Sequence, residues 1–327
     1  MLRLMIVELN RLRWRRAVQL LVPLALLVPL ALLTVWTIST DPADPDDWAR
    51  AVAQAEAQAA SPETQSELQS CIDGGEQWGD PGYRPSRAQC EEMILPRPEY
   101  FIEHNQQRPE EAVEGYAPGI AILTAAVLAL AAMTYAGADW ASGSMSNQLL
   151  FNPRRGQLFT AKALAIGVMA GAVTILAHAA WWLSFAVIAG ARDLAWRSGW
   201  TTDVLQLVGL SAAFSALVAT GAYALTMLLR HTVAALASVL AVLALSLVFI
   251  HGLGGDSHVQ RVSPALNTAA IFFDDVTYDT YDWSDERAMR DYEPHHLGTL
   301  HGFGYWAVIW GAVSGAAFLA FRRRDVP

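Results

Sequence analysis

GIAILTAAVLALAAMTYAG, residues 119–137, runs from Gly119 to Gly137 without a charged side chain. A helix needs roughly 20 apolar residues to cross the hydrocarbon core of a bilayer, so this stretch reads as one membrane span. Five further runs share its character: Ala17 to Ser39, Ala163 to Trp182 with an extension to Gly190, Val204 to Leu229, Thr232 to His251, and Leu300 to Phe321. Pro23 and Pro29 interrupt the first of these, and membrane helices tolerate proline where neighbours satisfy the freed carbonyls; a kinked first span is predicted. At 54% hydrophobic over 327 residues, the composition is one that soluble domains seldom show. The expected fold class is an all-α integral membrane protein: six transmembrane helices, an N-terminal amphipathic interfacial helix and two extracellular loop regions.

The formal charge of -9 resides in the loops and gives no support to a nucleic-acid partner. Basic residues near span ends favour the cytoplasmic side. The segments before span one, between spans two and three, between four and five, and after six hold 12 of the 22 Lys+Arg but only 3 of the 31 Asp+Glu. Both termini are therefore expected inside. Tryptophan favours the headgroup level, which sets Trp14 and Trp140 at the inner surface and Trp36, Trp181, Trp182, Trp196, Trp200 and Trp306 near the outer one. The first run exceeds a signal-peptide core and leads into Asp41–Asp47 with no small-x-small cleavage pattern, so it reads as an uncleaved anchor. The predicted order is an inner helix (1–16), span one (17–39), an acidic outer loop domain (40–118), spans two to five (119–251) with an inner segment (138–162), an outer loop (252–299), span six (300–321) and an inner tail (322–327). The basic set is almost all arginine, as a GC-rich bacterial genome would produce, and the plasma membrane is the expected location.

In the outer loop 40–118, Cys71 and Cys90 are the only cysteines. Outside the cell they can close a disulfide loop of about 20 residues, for roughly 3 kcal/mol on the chain-entropy estimate. Gln54 to Gln69 has helix-forming composition, while the later proline, glycine and acidic residues point to irregular structure. In the loop 252–299, Pro264 to Phe273 is too short to span and is expected to form a re-entrant or interfacial helix. His251, His258, His295, His296 and His301, with Glu293, gather near this side, but their spacing matches no established ligand pattern; no metal site is expected. Gly255-Asp-Ser-His258 resembles a serine nucleophile loop only faintly.

On the inner side, Leu2, Met5, Leu9 and Leu12 recur at helical spacing, as in an amphipathic helix lying in the interface, with Arg11, Arg13, Trp14, Arg15 and Arg16 beside lipid headgroups. Between spans two and three, Ser144 to Phe151 can form a separate short helix. Asn152 and Pro153 suit an N-cap and first helical residue, so a new helix is predicted from there into span three. The runs hold no carboxylate or arginine deep in the bilayer, which argues against an ion-coupled carrier and for an apolar pathway. His178 is the one ionisable side chain in the interior of a run apart from tyrosine, His251 and His301 standing at run ends; it is a possible substrate contact, with a hydrogen-bonded packing role as the alternative. Lys162, the only lysine, precedes Ala163 and so cannot belong to a G-x4-G-K-[ST] phosphate loop.

Asp139, Gly143-Ser144, the short helix ending Leu149-Leu150-Phe151, Pro153-Arg154-Arg155 and Lys162 together resemble the type-2 permease family of ABC transporters. That family's pattern is Glu, two or three residues, Gly-Thr, then Pro-x-Arg, then Lys. Asp replaces Glu here and Ser replaces Thr. The resemblance extends in outline to the amphipathic N-terminus, the six spans, the short apolar segment with Pro264, and the terminal arginines. It implies that the segment from Asp139 to Lys162 docks on a separate ATPase, expected in two copies, which would carry ATP and magnesium. This chain would bind no cofactor and catalyse nothing; a second copy of it would complete the permease, within membrane lipid. The expected function is outward movement of an amphiphilic or hydrophobic substrate. The alternative is a membrane-anchored receptor or assembly subunit whose outer loops bind an external partner, and a membrane metalloenzyme built on His295, His296 and His301 is a weaker third.

Overall fold

The computed structural model describes residues 1–40, 44–73, 86–102, 111–194, 196, 198–252, 261–273, 275–278 and 295–323. The chain divides into two units, residues 1–33 with 109–327, and residues 34–108.

The larger unit opens with α1, Leu2–Arg13, followed at Trp14-Arg15 by a break and then the first part, to Leu33, of α2, Arg16–Ser39, which continues through Pro23 and Pro29. After the second unit come α6 (Ala117–Ala141), the short α7 (Ser144–Phe151), α8 (Arg155–Ala191), α9 (Trp200–Leu229), α10 (Thr232–Gly252), α11 (Pro264–Phe272) and α12 (Thr299–Arg323). Five of these, α2, α6, α8, α9 and α12, are long and apolar enough to cross a membrane, and the chain is a helical multi-pass membrane protein. The sixth expected run is also helical, as α10; its side chains are described as far as Ser246, and over that part it is apolar but shorter than a full crossing.

With lipid tails as apolar as leucine, helices associate through close packing, and small residues allow it. Accordingly α6 buries Ala121, Ala125, Ala131, Ala132 and Ala136 and packs against α9, which also packs on α8 and α12. Tyr223 of α9 and Phe159 of α8 meet within this core with their rings tilted by 48° and 5.3 Å apart at the centroids, with Phe318 and Phe321 of α12 around Phe159. Gly137 lies where α6 meets the start of α10: a Cβ there would stand 1.7 Å from Thr232 Oγ1. Similarly, α11 rests on α12 where Gly302 has no side chain, since a Cβ would meet the Asn267 carbonyl oxygen at 2.4 Å. Ser263 caps α11 by accepting from the Leu266 amide, and Trp306 donates to Thr268 Oγ1 at 3.1 Å.

Two features are visible only in the folded structure. Loop 252–299 carries, besides α11, a short two-stranded antiparallel ribbon, β1 (Val276–Tyr278) against β2 (His295–Leu297), within a fold that is otherwise helical. Trp181 and Trp182 are 2% and 5% exposed and pack with Phe185, to which Trp196 and then Trp200 join.

The unit of residues 34–108 holds α3 (Pro45–Ala59), α4 (Pro62–Ile72) and α5 (Arg87–Ile94). Ser61 caps α4 ahead of Pro62, and Ser86 with Gln89 forms a capping box on α5. The single helix-forming stretch read in 54–69 is thus broken at Ser61-Pro62, and part of the stretch read as irregular is helical. Cys71 and Cys90 form a disulfide, Cα atoms 5.9 Å apart, within a small core of Leu68, Ile72, Ile94 and Leu95.

Candidate functional site

The arginine-rich end of the larger unit contains a buried ionic network assembled from four helices. On α1, Glu8 shares the face of Met5, Leu9 and Leu12, at the three- and four-residue spacing that aligns side chains on a helix. That face packs on α8, and Glu8 is 3% exposed. On α6, Tyr135 and Asp139 are four residues apart and both buried, at 1% and 0% exposure. On α8, Lys162 is 1% exposed. Burying ions costs several kcal/mol each unless charge and hydrogen-bonding capacity are met, and here both are.

The Lys162 ammonium has three protons and three acceptors: Asp139 Oδ2 at 2.7 Å, Glu8 Oε2 at 2.9 Å and the Tyr135 hydroxyl oxygen at 3.3 Å. Tyr135 in turn donates to Glu8. Arg11 forks over Glu8, with Nη1 3.2 Å from each carboxylate oxygen, and its Nη2 reaches Asp139 Oδ1 at 3.1 Å. Arg15, four residues on and within the α1–α2 break, also donates to Asp139 Oδ1. Burial opposes the charge on Arg11, but Asp139 and Glu8 outweigh it and hold its pKa above the ordinary value.

The network extends to α7. Ser144, its first residue, accepts from Arg11 Nη2 at 3.1 Å, and Gln148 donates to Ser144 Oγ at 3.0 Å and to Asp139 Oδ2 at 3.3 Å. Gly143 makes the turn from α6 into α7 in the left-handed region, φ 68°, which glycine adopts without the Cβ penalty. Met145 is buried and Leu149 half-buried against the core, whereas Leu150 and Phe151 are 80% and 92% exposed. Pro153 and Arg154 are exposed as well, and Arg155 donates to the Phe321 carbonyl at 3.4 Å. Near this end, Arg230 lies over the Trp140 ring at 4.6 Å, and Trp140 meets Phe321 edge-on.

The expected docking segment therefore separates into two parts. Asp139, Ser144 and Lys162 belong to a buried tie, and the burial of Asp139 and Lys162 removes them from direct contact with another chain. Leu150, Phe151, Pro153 and Arg154 form an exposed tip. Asp139 lies beyond the uncharged run 119–137, but α6 extends past Gly137 to Ala141 and its last turn buries that carboxylate. Arg11 and Arg15 turn inward to carboxylates, while Arg13, Trp14 and Arg16 are exposed as expected of an interfacial helix. The helix into span three starts at Arg155 rather than Pro153; Asn152 ends α7, and its side chain accepts from the Arg154 amide at 3.2 Å.

Glu8 was not among the residues expected here, though it is the only acid in the first 40 residues and lies on the apolar face. His178 is fully buried, and neither ring nitrogen has a hydrogen-bond partner among the described residues. His296 Nδ1 is 2.6 Å from Asp275 Oδ1. Among the described residues no three His, Cys, Asp or Glu side chains are grouped to hold a metal ion. His258, Glu293 and the Gly255–His258 stretch lie outside the described residues, as does the side chain of His251. Compared with protein-family models, curated proteins and solved structures, the chain matches none.

Proposed function

We propose that this chain is the permease subunit of a type-2 ABC exporter, and that the tip of α7 is where its ATPase docks. The observation that carries this reading is the pairing of opposites within one eight-residue helix. Ser144 and Gln148 are tied into the buried network, while Leu150 and Phe151 project from its other end, 80% and 92% exposed. A short helix held rigidly at its base, with large apolar side chains at its tip, is built to be pushed by something that grips the tip. Force on Phe151 would pass through Ser144, Gln148, Asp139 and Arg11 to α6, α8 and α1 together, because Lys162 and Glu8 join those helices.

In this reading six spans cross the plasma membrane, with α10 as the fifth, and both termini face the cytoplasm. Two copies of the chain assemble with two ATPase subunits, which bind ATP and magnesium. Lys162 has no part in nucleotide binding, since all three of its protons are engaged with Glu8, Asp139 and Tyr135. The cargo is amphiphilic or hydrophobic, and closure of the ATPase dimer switches the spans between inward- and outward-open arrangements.

Co-purification of the tagged chain with the ATPase encoded beside it tests the reading. The wild type should retain the ATPase, and Leu150→Asp/Phe151→Asp should release it with no change in thermal unfolding, because both side chains are already exposed. Failure of the wild type to hold any ATPase would favour the receptor or assembly subunit.

A further inference from the structure

We propose that the angle between α1 and α2 is a binding site for one anionic glycerophospholipid, its acyl chain seated in an apolar groove and its phosphate held by Arg13. The groove has a volume of about 430 Å³, within the roughly 300–1,000 Å³ of ligand sites. Its walls are Leu9 and Leu12 of α1, Val18, Val22 and Pro23 of α2, and Met169 of α8. In a chain that spans the membrane, an apolar cleft at the foot of a span is filled by hydrocarbon, since water there would lose its hydrogen bonds.

The polar end identifies the headgroup. Arg13 and Gln19 complete the lining, and both are exposed. The three arginines around the α1–α2 break differ in what they face: Arg11 and Arg15 turn to Asp139, whereas no carboxylate pairs with Arg13 among the described residues. The Arg13 guanidinium lies 5.8 Å from the ring of Trp14, a side chain 74% exposed and of the kind that marks headgroup depth. Proline has no amide hydrogen, so Pro23 leaves the Gln19 carbonyl without its helical donor. The Gln19 carboxamide donates to the Arg13 carbonyl at 3.1 Å, and its own oxygen accepts from no donor among the described residues. One cation for a phosphate, beside acceptors for hydroxyl groups, fits phosphatidylglycerol. Phosphatidylcholine, whose headgroup ends in a quaternary ammonium without a donor, fits poorly. This inference depends on the membrane-spanning character of the chain and not on the permease reading.

Native mass spectrometry of the full-length chain, extracted from vesicles of phosphatidylglycerol and phosphatidylcholine, tests it. The wild type should keep one phosphatidylglycerol per chain. Arg13→Gln should weaken that binding roughly fivefold, the worth of one basic residue near a charged surface, with phosphatidylcholine binding unchanged. Val22→Trp, which fills the groove, should abolish it, with Met169→Trp as a second filling variant should the first not fold by circular dichroism. Arg3→Gln removes an exposed charge of α1 outside the groove and should behave as wild type. Loss in Arg3→Gln equal to that in Arg13→Gln would reduce the effect to surface charge and overturn the proposal. So would lipid retention in a folded groove-filling variant, or a change in oligomeric mass in its place, which would make a second copy of the chain the occupant.

Discussion

Removing one charge at a time from the buried network should damage the protein in an order set by charge balance. Two carboxylates, Glu8 and Asp139, face three cations, Arg11, Arg15 and Lys162, for a net +1. Asp139→Asn leaves three cations against one carboxylate, net +2, and Glu8→Gln does the same. Lys162→Met leaves two against two, and each carboxylate keeps an arginine. Breaking a buried pair costs about 3–5 kcal/mol; Asp139→Asn and Glu8→Gln belong near the upper figure and Lys162→Met near or below the lower. At about 2 °C per kcal/mol for a chain of this size, thermal unfolding in detergent should fall by roughly 10 °C and 6 °C respectively. The double variant Asp139→Asn/Lys162→Met restores the net charge of +1 and should fall no further than Asp139→Asn alone, a coupling of about 3 kcal/mol. Strict additivity in the double variant, or a Lys162→Met protein as damaged as Asp139→Asn, would refute the network as a single balanced unit.

Three other outcomes are expected. Leu150→Asp and Phe151→Asp should leave the unfolding temperature within about 1 °C of wild type, since exposed changes lie within about 0.5 kcal/mol, yet lower ATPase retention in a pull-down. Gly137→Ala forces Thr232 and the start of α10 away from α6 and should cost about 1–3 kcal/mol; Thr232→Ala should recover part of this in the same unfolding assay, because the hydroxyl is the nearest clash. Cys71→Ala/Cys90→Ala should destabilise the 34–108 unit by about 3 kcal/mol, read as faster proteolysis within that unit while α6 to α9 stay protected.

The elements most legible in the sequence were those with local punctuation. Ser144–Phe151 lies between Gly143 and Asn152-Pro153, and α1 has an apolar repeat before its arginines. What was not legible depended on partners distant in sequence. Asp139 stands two residues past an uncharged run, and hydropathy locates the end of such a run rather than the end of a helix; only the packing of α6 on α9 and of α1 on α8 encloses it. Glu8 occupied an apolar face in plain view, but an acid on a short amphipathic helix has meaning only once Lys162, 154 residues away, is known to meet it. Asn152 does not cap α8: its side chain accepts from the Arg154 amide in an i to i+2 turn, Arg154 stands at the N-cap, and α8 begins at Arg155. Val276-Thr-Tyr278 has β-forming residues, yet three residues make no strand without His295–Leu297 beside them.

The most direct test of the central claim is photo-crosslinking in intact cells from a benzophenone amino acid replacing Phe151, with the same probe at the exposed position of Arg3 as a control. The permease reading predicts one adduct at position 151 that contains a nucleotide-binding ATPase, dependent on that ATPase being expressed, and none from position 3. Adducts to lipid alone at position 151, or an identical adduct from both positions, would contradict it.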